Sequence, residues 1–359
     1  MDPKIYERYS RQILFEGIGE TGQQRLLDAS AVLVGCGALG TAVANLLVRA
    51  GLGRLRIVDR DFVEPSNLQR QTLFTESDAR EALPKAIAAE RRLSEINSGV
   101  RVEGVVADLR PSNVEELLGG FPLVLDAADN FETRLLINDA AVKLGVPWIY
   151  AAAVASYGVT MTIRPGRTAC LACLVESSAE GNSLAAGTSG AGAGAEATCE
   201  TAGVLGSAAT AIAALEAAAA LRLLSRAPSA SGELENESGR LVSLDVWSVR
   251  FQTIRVARRE DCRACVRRDF QFLEGHAQPH VTMCGRDSVQ IHERSRKLDF
   301  ATLEKNLAAT ASDVRQNNFL LQFRVPPYQM TVFADGRAIV KGTRDPAVAR
   351  SLYARYIGS

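Results

Sequence analysis

The sequence has 359 residues, of which 47% are hydrophobic and 23% charged, a composition typical of a globular protein with room for one α/β domain and a smaller one. Lys+Arg and Asp+Glu both number 41, so the net charge is zero and gives no electrostatic argument for nucleic acid or an anionic membrane as partner. The polar start MDPKIYERYSRQ has no apolar signal core, and we expect a cytoplasmic protein.

Helices and short buried strands alternate through about the first 155 residues. A helical pattern covers residues 4–28, and the strand SAVLVGCG then enters a glycine-rich turn. The remaining elements, in chain order, are a helix over 38–53, a strand over 54–59, a helix over 83–97, a strand over 100–107, a short helix over 111–119, a strand over 122–129, a helix over 130–145 and a strand over 146–153. This order predicts an α/β fold, a doubly wound, mostly parallel Rossmann-like sheet with a ligand at the carboxyl ends of its strands.

The pattern changes after residue 155. GVTMTIRPG indicates an antiparallel extension, and the Gly/Ala/Ser-rich residues 177–198 predict a flexible crossover loop because they have little to bury. The Ala-rich stretch 203–224 is long enough to span a membrane, but Ala is weakly apolar and Glu216 lies inside it, so we predict a packed helix. Two strands follow within residues 240–260.

The chain is predicted to form two domains, over residues 1–270 and 280–359. The second is a small α+β domain that reads strand, helix, strand, hairpin and helix. Asp335-Gly336 is the turn signal of the hairpin, and Asp345 with Pro346 marks the start of the last helix.

A glycine loop and an acidic residue indicate a nucleotide site. Gly35, Gly37 and Gly40 allow the backbone to approach phosphate at a helix N-terminus, although such a loop alone is also compatible with a structural turn. Asp59, nineteen residues after Gly40, suits the hydroxyls of a ribose. Asp61 would equally serve as a cap or face solvent.

The segment SNLQRQ, residues 66–71, places amides and a cation directly after that acidic residue. With Lys85 at the start of the next helix, it would supply the charges that a triphosphate requires, although a solvated lysine is the simpler interpretation of Lys85 alone. Asp129 ends the strand over 122–129, where a carboxylate beside phosphates indicates Mg²⁺ and a helix N-cap is the structural alternative.

Two Cys-x-x-Cys pairs predict a metal site. Cys170, Cys173, Cys262 and Cys265 provide the four thiolates of a structural Zn²⁺ site, with a redox dithiol as the alternative. Cys199 lies beside the predicted loop and before a helix, and we predict a reactive thiol there rather than a buried one. We interpret the remaining Cys36 and Cys284 as structural.

Together these motifs resemble the ThiF/MoeB family, the prokaryotic relatives of ubiquitin-activating enzymes, over residues 5–268. The resemblance implies that Asp59 binds ribose and that Asp129 is the magnesium-linked acid. It also implies that Arg11 reaches the ATP site of a partner subunit in a homodimer. The expected catalytic set is Arg11, Arg70, Lys85, Asp129 and Cys199. The expected ATP-binding set is Gly35, Gly37, Gly40, Asp59, Asp61, Asn67, Arg70, Lys85, Asp129 and Asn130.

The implied reaction is the ATP-dependent adenylation of the C-terminal Gly-Gly carboxylate of a small ubiquitin-like sulfur-carrier protein. ATP, Mg²⁺ and Zn²⁺ are the expected cofactors, and a desulfurase or rhodanese-like protein is the expected sulfur donor. The C-terminal tail lacks a rhodanese-like cysteine loop, so the resemblance does not identify the direct donor.

Several alternatives stay open from the sequence alone. One is an activator for ubiquitin-like conjugation, and another is an NAD-dependent oxidoreductase of the same fold type, for which SNLQRQ would be a coincidence. A zinc-stapled binding scaffold without enzymatic activity is a third. The motifs do not distinguish thiamine, molybdopterin and thiolation pathways.

Overall fold

A computed structural model describes residues 2–179, 202–226, 239–275, 282–283, 288–291, 298–307 and 310–358. The chain divides into two compact units, residues 1–277 and 278–359. The sequence predicted domains over 1–270 and 280–359. The predicted loop over 177–198 lies almost wholly outside the described residues, and so do Cys199 and Cys284.

An eight-stranded sheet organises the first unit, in the order β3-β2-β1-β4-β5-β6-β7-β8. Strands β1 to β5 are parallel, and β6 to β8 each run antiparallel to their predecessor. The predicted doubly wound sheet with an antiparallel extension is therefore confirmed. The strands are β1 Ser30–Val34, β2 Arg54–Asp59, β3 Arg101–Val106, β4 Val124–Asp126, β5 Trp148–Val154, β6 Tyr157–Ile163, β7 Arg240–Asp245 and β8 Arg250–Arg255.

Helices cover both faces of this sheet. Because side chains alternate along a strand, Leu33 joins one apolar cluster and Val32 the other, and both are fully buried. The helices are α1 Pro3–Ile13, α2 Gly19–Asp28, α3 Ala38–Arg49, α4 Glu76–Arg80, α5 Lys85–Ile96, α6 Val114–Leu118, α7 Phe131–Leu144, α8 Leu171–Ala179 and α9 Gly206–Ser225.

The structure corrects several predicted boundaries. The helix predicted over residues 4–28 is two helices, because the chain turns between Leu14 and Ile18 and continues through Gly19 at φ 61°. Helix α4 and the 3₁₀ turn Pro65–Asn67 lie within a stretch for which no element was predicted. Helix α8 extends into the first residues of the predicted loop, as far as Ala179.

Helix α9 has the length and apolar composition of a membrane span, but much of its surface is covered by protein. Ala209, Ile212 and Ala213 are at most 1% exposed and belong to the cluster that also contains residues of α3 and β5. This arrangement agrees with the packed helix expected from its alanine content.

The second unit contains a six-stranded antiparallel sheet in the order β11-β12-β13-β14-β10-β9. The predicted hairpin is present as β13 and β14, and Asp345 caps the last helix through a 2.8 Å bond from Ala347 N. Strand β11 was not predicted, since its side chains are mostly exposed and polar. The bounds are β9 Thr282–Met283, β10 Ser288–Ile291, α10 Phe300–Leu307, β11 Ser312–Gln316, β12 Leu320–Val325, β13 Tyr328–Phe333, β14 Ala338–Lys341 and α11 Pro346–Tyr356.

Glu216 is the polar exception inside α9. Its side chain is fully buried and faces the backbone of Asp126, and neither carboxyl oxygen makes a hydrogen bond of good geometry within the described residues. Burial and the neighbouring Asp126 carboxylate raise the pKa of Glu216 well above its usual value. The folded protein therefore binds a proton on Glu216 more tightly than the unfolded chain does.

We predict that Glu216→Gln flattens the pH dependence of the free energy of unfolding. A raised folded pKa gives stability that is complete below the unfolded pKa of about 4.3 and is lost as pH rises through the folded pKa, by at most about 1.4 kcal/mol per pH unit. Denaturant unfolding between about pH 5 and about pH 8 should show wild type losing stability relative to the variant. The exposed Glu7→Gln is the control, and parallel curves for wild type and Glu216→Gln would contradict the prediction.

Candidate functional site

The site lies where the strand order of the sheet reverses, between β1 and β4. A side chain on Gly35 would overlap the carbonyl of Ala127, and one on Gly40 would overlap the carbonyl of Gly35. The loops after β1 and β4 therefore pack directly on one another. In open α/β sheets, such a switch point is where ligands bind.

The glycine loop leaves space in front of its backbone. A Cβ on Gly37 would meet only Gln71 Nε2, at 3.8 Å, so a side chain there would enter open space at the start of α3. Gln71 is 3% exposed, and its Oε1 lacks a hydrogen-bond partner within the described residues. A buried amide with an unused acceptor beside an open loop is suited to a polar ligand.

Asp59 is held rigidly at the end of β2. Its two oxygens accept hydrogen bonds from Cys36 N at 2.6 Å and Asp61 N at 2.7 Å. Burial raises the pKa of Asp59, and the charge of Lys85 opposes that rise. The carboxylate therefore joins the β1 and β2 loops, and its remaining lone pairs could accept from the hydroxyls predicted at this position.

Lys85, the first residue of α5, lies close to the carboxylates of Asp59 and Asp61. Its side chain is buried, and Nζ lies 3.1 Å from Asp61 Oδ2. Burial alone would lower the pKa of Lys85, but Asp61 and Asp59 raise it above its usual value, so the ammonium stays charged. Asp61 is thus an ion-pair partner, and the interpretation of Lys85 as a solvated lysine is wrong.

Asp129 projects from the loop between β4 and α7, and its side chain is 63% exposed. Helix α7 is capped instead by Asn130, whose Oδ1 accepts from Thr133 N at 2.8 Å, so the alternative role of Asp129 as N-cap is wrong. Asn130 Nδ2 donates to Asp129 Oδ1 at 3.0 Å. The exposed carboxylate at the strand end has the chemistry that Mg²⁺ prefers.

The amide-and-arginine segment follows the 3₁₀ turn Pro65–Asn67. Asn67 is buried and accepts from Glu64 N at 3.0 Å, so it fixes the turn. Arg70 Nη1 donates to Ser66 O at 2.8 Å, and Gly206, at the start of α9, lies beside Arg70. Asn67 and Arg70 border the site. The ligand-binding roles predicted for these two residues remain predictions.

Arg60 and Asp108 are site residues that the sequence analysis missed. The Arg60 guanidinium lies 3.1 Å from Asp108 Oδ1 and 3.9 Å from both Asp61 Oδ1 and Asp129 Oδ1. Burial would lower the pKa of Arg60, but Asp129, Asp108 and Asp61 raise it. Both residues follow the carboxyl ends of parallel strands, and that position was the signal that could have revealed them.

Arg11 is not part of the site in its own chain. It is exposed on α1, and the neighbouring Tyr9 accepts from Asn97 Nδ2 at 2.9 Å, directly after α5. Lys85 is at the opposite end of α5, a helix of 12 residues and therefore about 18 Å long. Any role of Arg11 at an ATP site requires a second subunit.

Four cysteine sulfurs form a cluster separate from the candidate nucleotide site. Cys170 Sγ lies 3.9 Å from Cys173 Sγ and 3.6 Å from Cys262 Sγ, and Cys173 Sγ lies 3.5 Å from Cys265 Sγ. All four ligand atoms are within 4.8 Å of one another. Tetrahedral Zn²⁺ with bonds of about 2.3 Å would place its sulfurs about 3.8 Å apart, so the cluster fits.

Large apolar side chains are exposed on the turn between β7 and β8 and at the start of β8. Trp247, Val249 and Phe251 are 80%, 85% and 60% exposed. The strand register pairs Val154 at the end of β5 with Tyr157, Tyr157 with Asp245, and Asp245 with Arg250. The turn therefore lies at the carboxyl edge of the parallel strands, the same edge as Asp59.

Comparisons with known proteins agree on one family. The ThiF family model matches residues 9–264. A Bacillus subtilis protein described as sulfur carrier protein ThiS adenylyltransferase is 44% identical over 355 residues, covering 98% of this chain and 99% of that protein. A Thermus thermophilus sulfur carrier protein adenylyltransferase is 37% identical over 264 residues, covering 72% of this chain and 90% of that protein.

Solved structures support the fold. Escherichia coli MccB crystallised with ATP matches with a TM-score of 0.58 at 22% identity, covering 72% of this chain and 74% of that chain. The related structure with N-formylated MccA gives a TM-score of 0.59. At this identity the likeness is evidence for the shared architecture alone.

Proposed function

Because the chain belongs to the ThiF family, we propose that it adenylates the C-terminal carboxylate of a small sulfur-carrier protein. The chain is a nucleotidyltransferase, and near full-length similarity to a ThiS adenylyltransferase supports the carrier as substrate. The observation that carries the proposal is the cluster of Asp59, Lys85 and Asp129 beside an open glycine loop. The relatives do not favour an NAD-dependent oxidoreductase or a conjugation activator.

In the proposed adenylation, the main contribution of the site is the position of its positive charges. The carrier carboxylate, already ionised at neutral pH, attacks the α-phosphorus of ATP, and the bond from that phosphorus to the bridging oxygen of pyrophosphate breaks. No general base is needed, so positioning and neutralisation are the main contributions. Lys85, kept charged by Asp61 and Asp59, supplies a fixed cation, and Arg70 supplies a second one at the rim.

Mg²⁺ and Zn²⁺ have separate proposed sites. Asp129 would hold Mg²⁺, which neutralises phosphate charge during phosphoryl chemistry. Cys170, Cys173, Cys262 and Cys265 would hold a structural Zn²⁺, since the four sulfurs have tetrahedral spacing and fill every position of a closed site. The sulfur donor, of desulfurase or rhodanese-like type, would act on the adenylate afterwards.

We propose that the carrier docks on the exposed turn between β7 and β8 and on the adjoining start of β8. Trp247 and Phe251 present apolar surface at the edge where the carrier tail must enter. A folded carrier seated there would direct a slender C-terminal tail toward Asp59 and Asp129. Exposed aromatic residues of this kind act as anchors in protein interfaces.

A homodimer is the assembly we propose. Arg11 is exposed on α1, and Leu14 and Phe15 close to it in sequence are 71% and 65% exposed. A second copy covering this surface would bury apolar area and carry its Arg11 to the neighbouring site. Each site would then contain residues from both subunits.

The central test is carrier-dependent exchange of radiolabelled pyrophosphate into ATP. We expect exchange with a purified Gly-Gly carrier, and we expect Lys85→Ala to reduce its kcat/KM by about 100-fold or more, because a buried cation facing phosphate is lost. Lys143→Ala, at an exposed ion pair with Glu115, is the matched control and should retain exchange. Absence of exchange with every Gly-Gly carrier, in folded and metal-loaded protein, would refute the proposed function.

If the carrier docks on this surface, changing it should alter the KM for the carrier and not the KM for ATP. Trp247→Ser should raise the KM for the carrier about tenfold, in line with losing an aromatic anchor, and leave the KM for ATP unchanged. The exposed Arg250→Ser, in the same hairpin, is the control for a general effect of the turn. Equal carrier KM values for Trp247→Ser and wild type would place the carrier elsewhere.

Dimerisation predicts complementation between two inactive chains. Arg11→Ala and Asp129→Ala should each abolish exchange alone. After unfolding and refolding together, random pairing should restore about a quarter of wild-type exchange, because half of the dimers then contain one intact site. Wild-type exchange by Arg11→Ala alone would contradict the proposal, because Arg11 would then have no role in the partner subunit's site.

A further inference from the structure

The position of Asp129 depends on its backbone. The carboxylate is mostly exposed, and its side chain lies 3.0 Å from Asn130 Nδ2 and 3.9 Å from the Arg60 guanidinium. An exposed side chain with few contacts keeps a defined location only if the residues before it are fixed. Ala127 and Ala128 are those residues, and both are buried.

A buried ion pair holds both polar groups of the Ala128 backbone. Ala128 N donates to Asp126 Oδ1 at 2.9 Å, and Arg134 Nη2 donates to Ala128 O at 2.6 Å. Arg134 Nε lies 3.4 Å from Asp126 Oδ2 and closes the arrangement. The residue directly before Asp129 is thus clamped from β4 on one side and from α7 on the other.

The clamp is shielded from water. The side chain of Asp126 is fully buried and that of Arg134 is 9% exposed. The Arg134 guanidinium lies 5.7 Å from the ring centroids of both Phe131 and Tyr150, within reach of a cation–π attraction. Because a buried ion pair is a poor source of net stability, its presence here points to a requirement for defined geometry.

We propose that Arg134 is a positioning residue that fixes the Asp129 carboxylate for the metal–nucleotide complex. It acts through Ala128 and, being buried, does not itself contact the ligand. Lysine at this position would keep the charge, but it lacks the planar fork that reaches Asp126 and Ala128 together. The inference rests on the proposed role of Asp129 in holding Mg²⁺.

The test measures Mn²⁺ affinity by electron paramagnetic resonance, with the full chain saturated by a non-hydrolysable ATP analogue. We expect Arg134→Gln to weaken Mn²⁺ binding about tenfold, and Arg134→Lys to give an intermediate loss because one of the two contacts is kept. The kcat for pyrophosphate exchange should fall in the same order, while the carrier KM stays unchanged.

Asp139→Asn is the matched control. Asp139 is fully buried on the same helix and pairs with Arg263 at 3.1 Å, away from the Asp129 loop. We expect this variant to lower the melting temperature and to keep wild-type Mn²⁺ affinity. An equal loss of affinity in Asp139→Asn and Arg134→Gln would overturn the inference, because general loosening of α7 would then explain both.

Asp129→Ala separates this inference from the function on which it rests. If Asp129→Ala weakens Mn²⁺ binding and folded Arg134→Gln and Arg134→Lys do not, the positioning role is overturned and the proposed function stands. If Asp129→Ala leaves Mn²⁺ affinity unchanged, the metal-binding role of Asp129 is wrong and the inference falls with it. Using Arg134→Lys keeps the test decisive should Arg134→Gln fail to fold.

Discussion

The contact between the loops after β1 and β4 is the constraint on which the site depends. The Ala127 carbonyl occupies the space that a side chain on Gly35 would need, so the two loops approach at backbone distance. This approach sets the glycine loop, the Asp59 carboxylate and the Asp129 loop in fixed relation. The fold alone, shared with many unrelated enzymes, does not specify a reaction, so the proposed function depends on this local arrangement of backbone and charge together with the family.

Cations and carboxylates are paired with one another inside the candidate site. Lys85 is buried and Arg60 is partly buried, and the pKa of each is raised by the carboxylates around it, so both remain cationic. Asp61 forms an ion pair with Lys85, and Asp108 forms one with Arg60. In the proposed function, a triphosphate would bind these same cations, which the fold already holds in place.

Local sequence patterns were sufficient to predict the alternating strands and helices and the glycine loop. They also identified Asp59 and Lys85 as candidate site residues and the two cysteine pairs as a candidate metal site. They failed where tertiary contacts decide. Arg60 and Arg134 look like ordinary surface charges in the sequence, and only the meeting of distant strand ends buries them. Strand β11 has no apolar alternation because it is an exposed edge, so periodicity gave no signal.

The spacing of the cysteine pairs has a topological consequence. Cys173 and Cys262 are separated by most of the antiparallel extension and α9, yet their sulfurs belong to one cluster. With a metal in place, the chain between them becomes a closed ring. A single peptide-bond cleavage within that ring would leave both fragments tethered through the four sulfurs, and they would separate only once the metal is also removed.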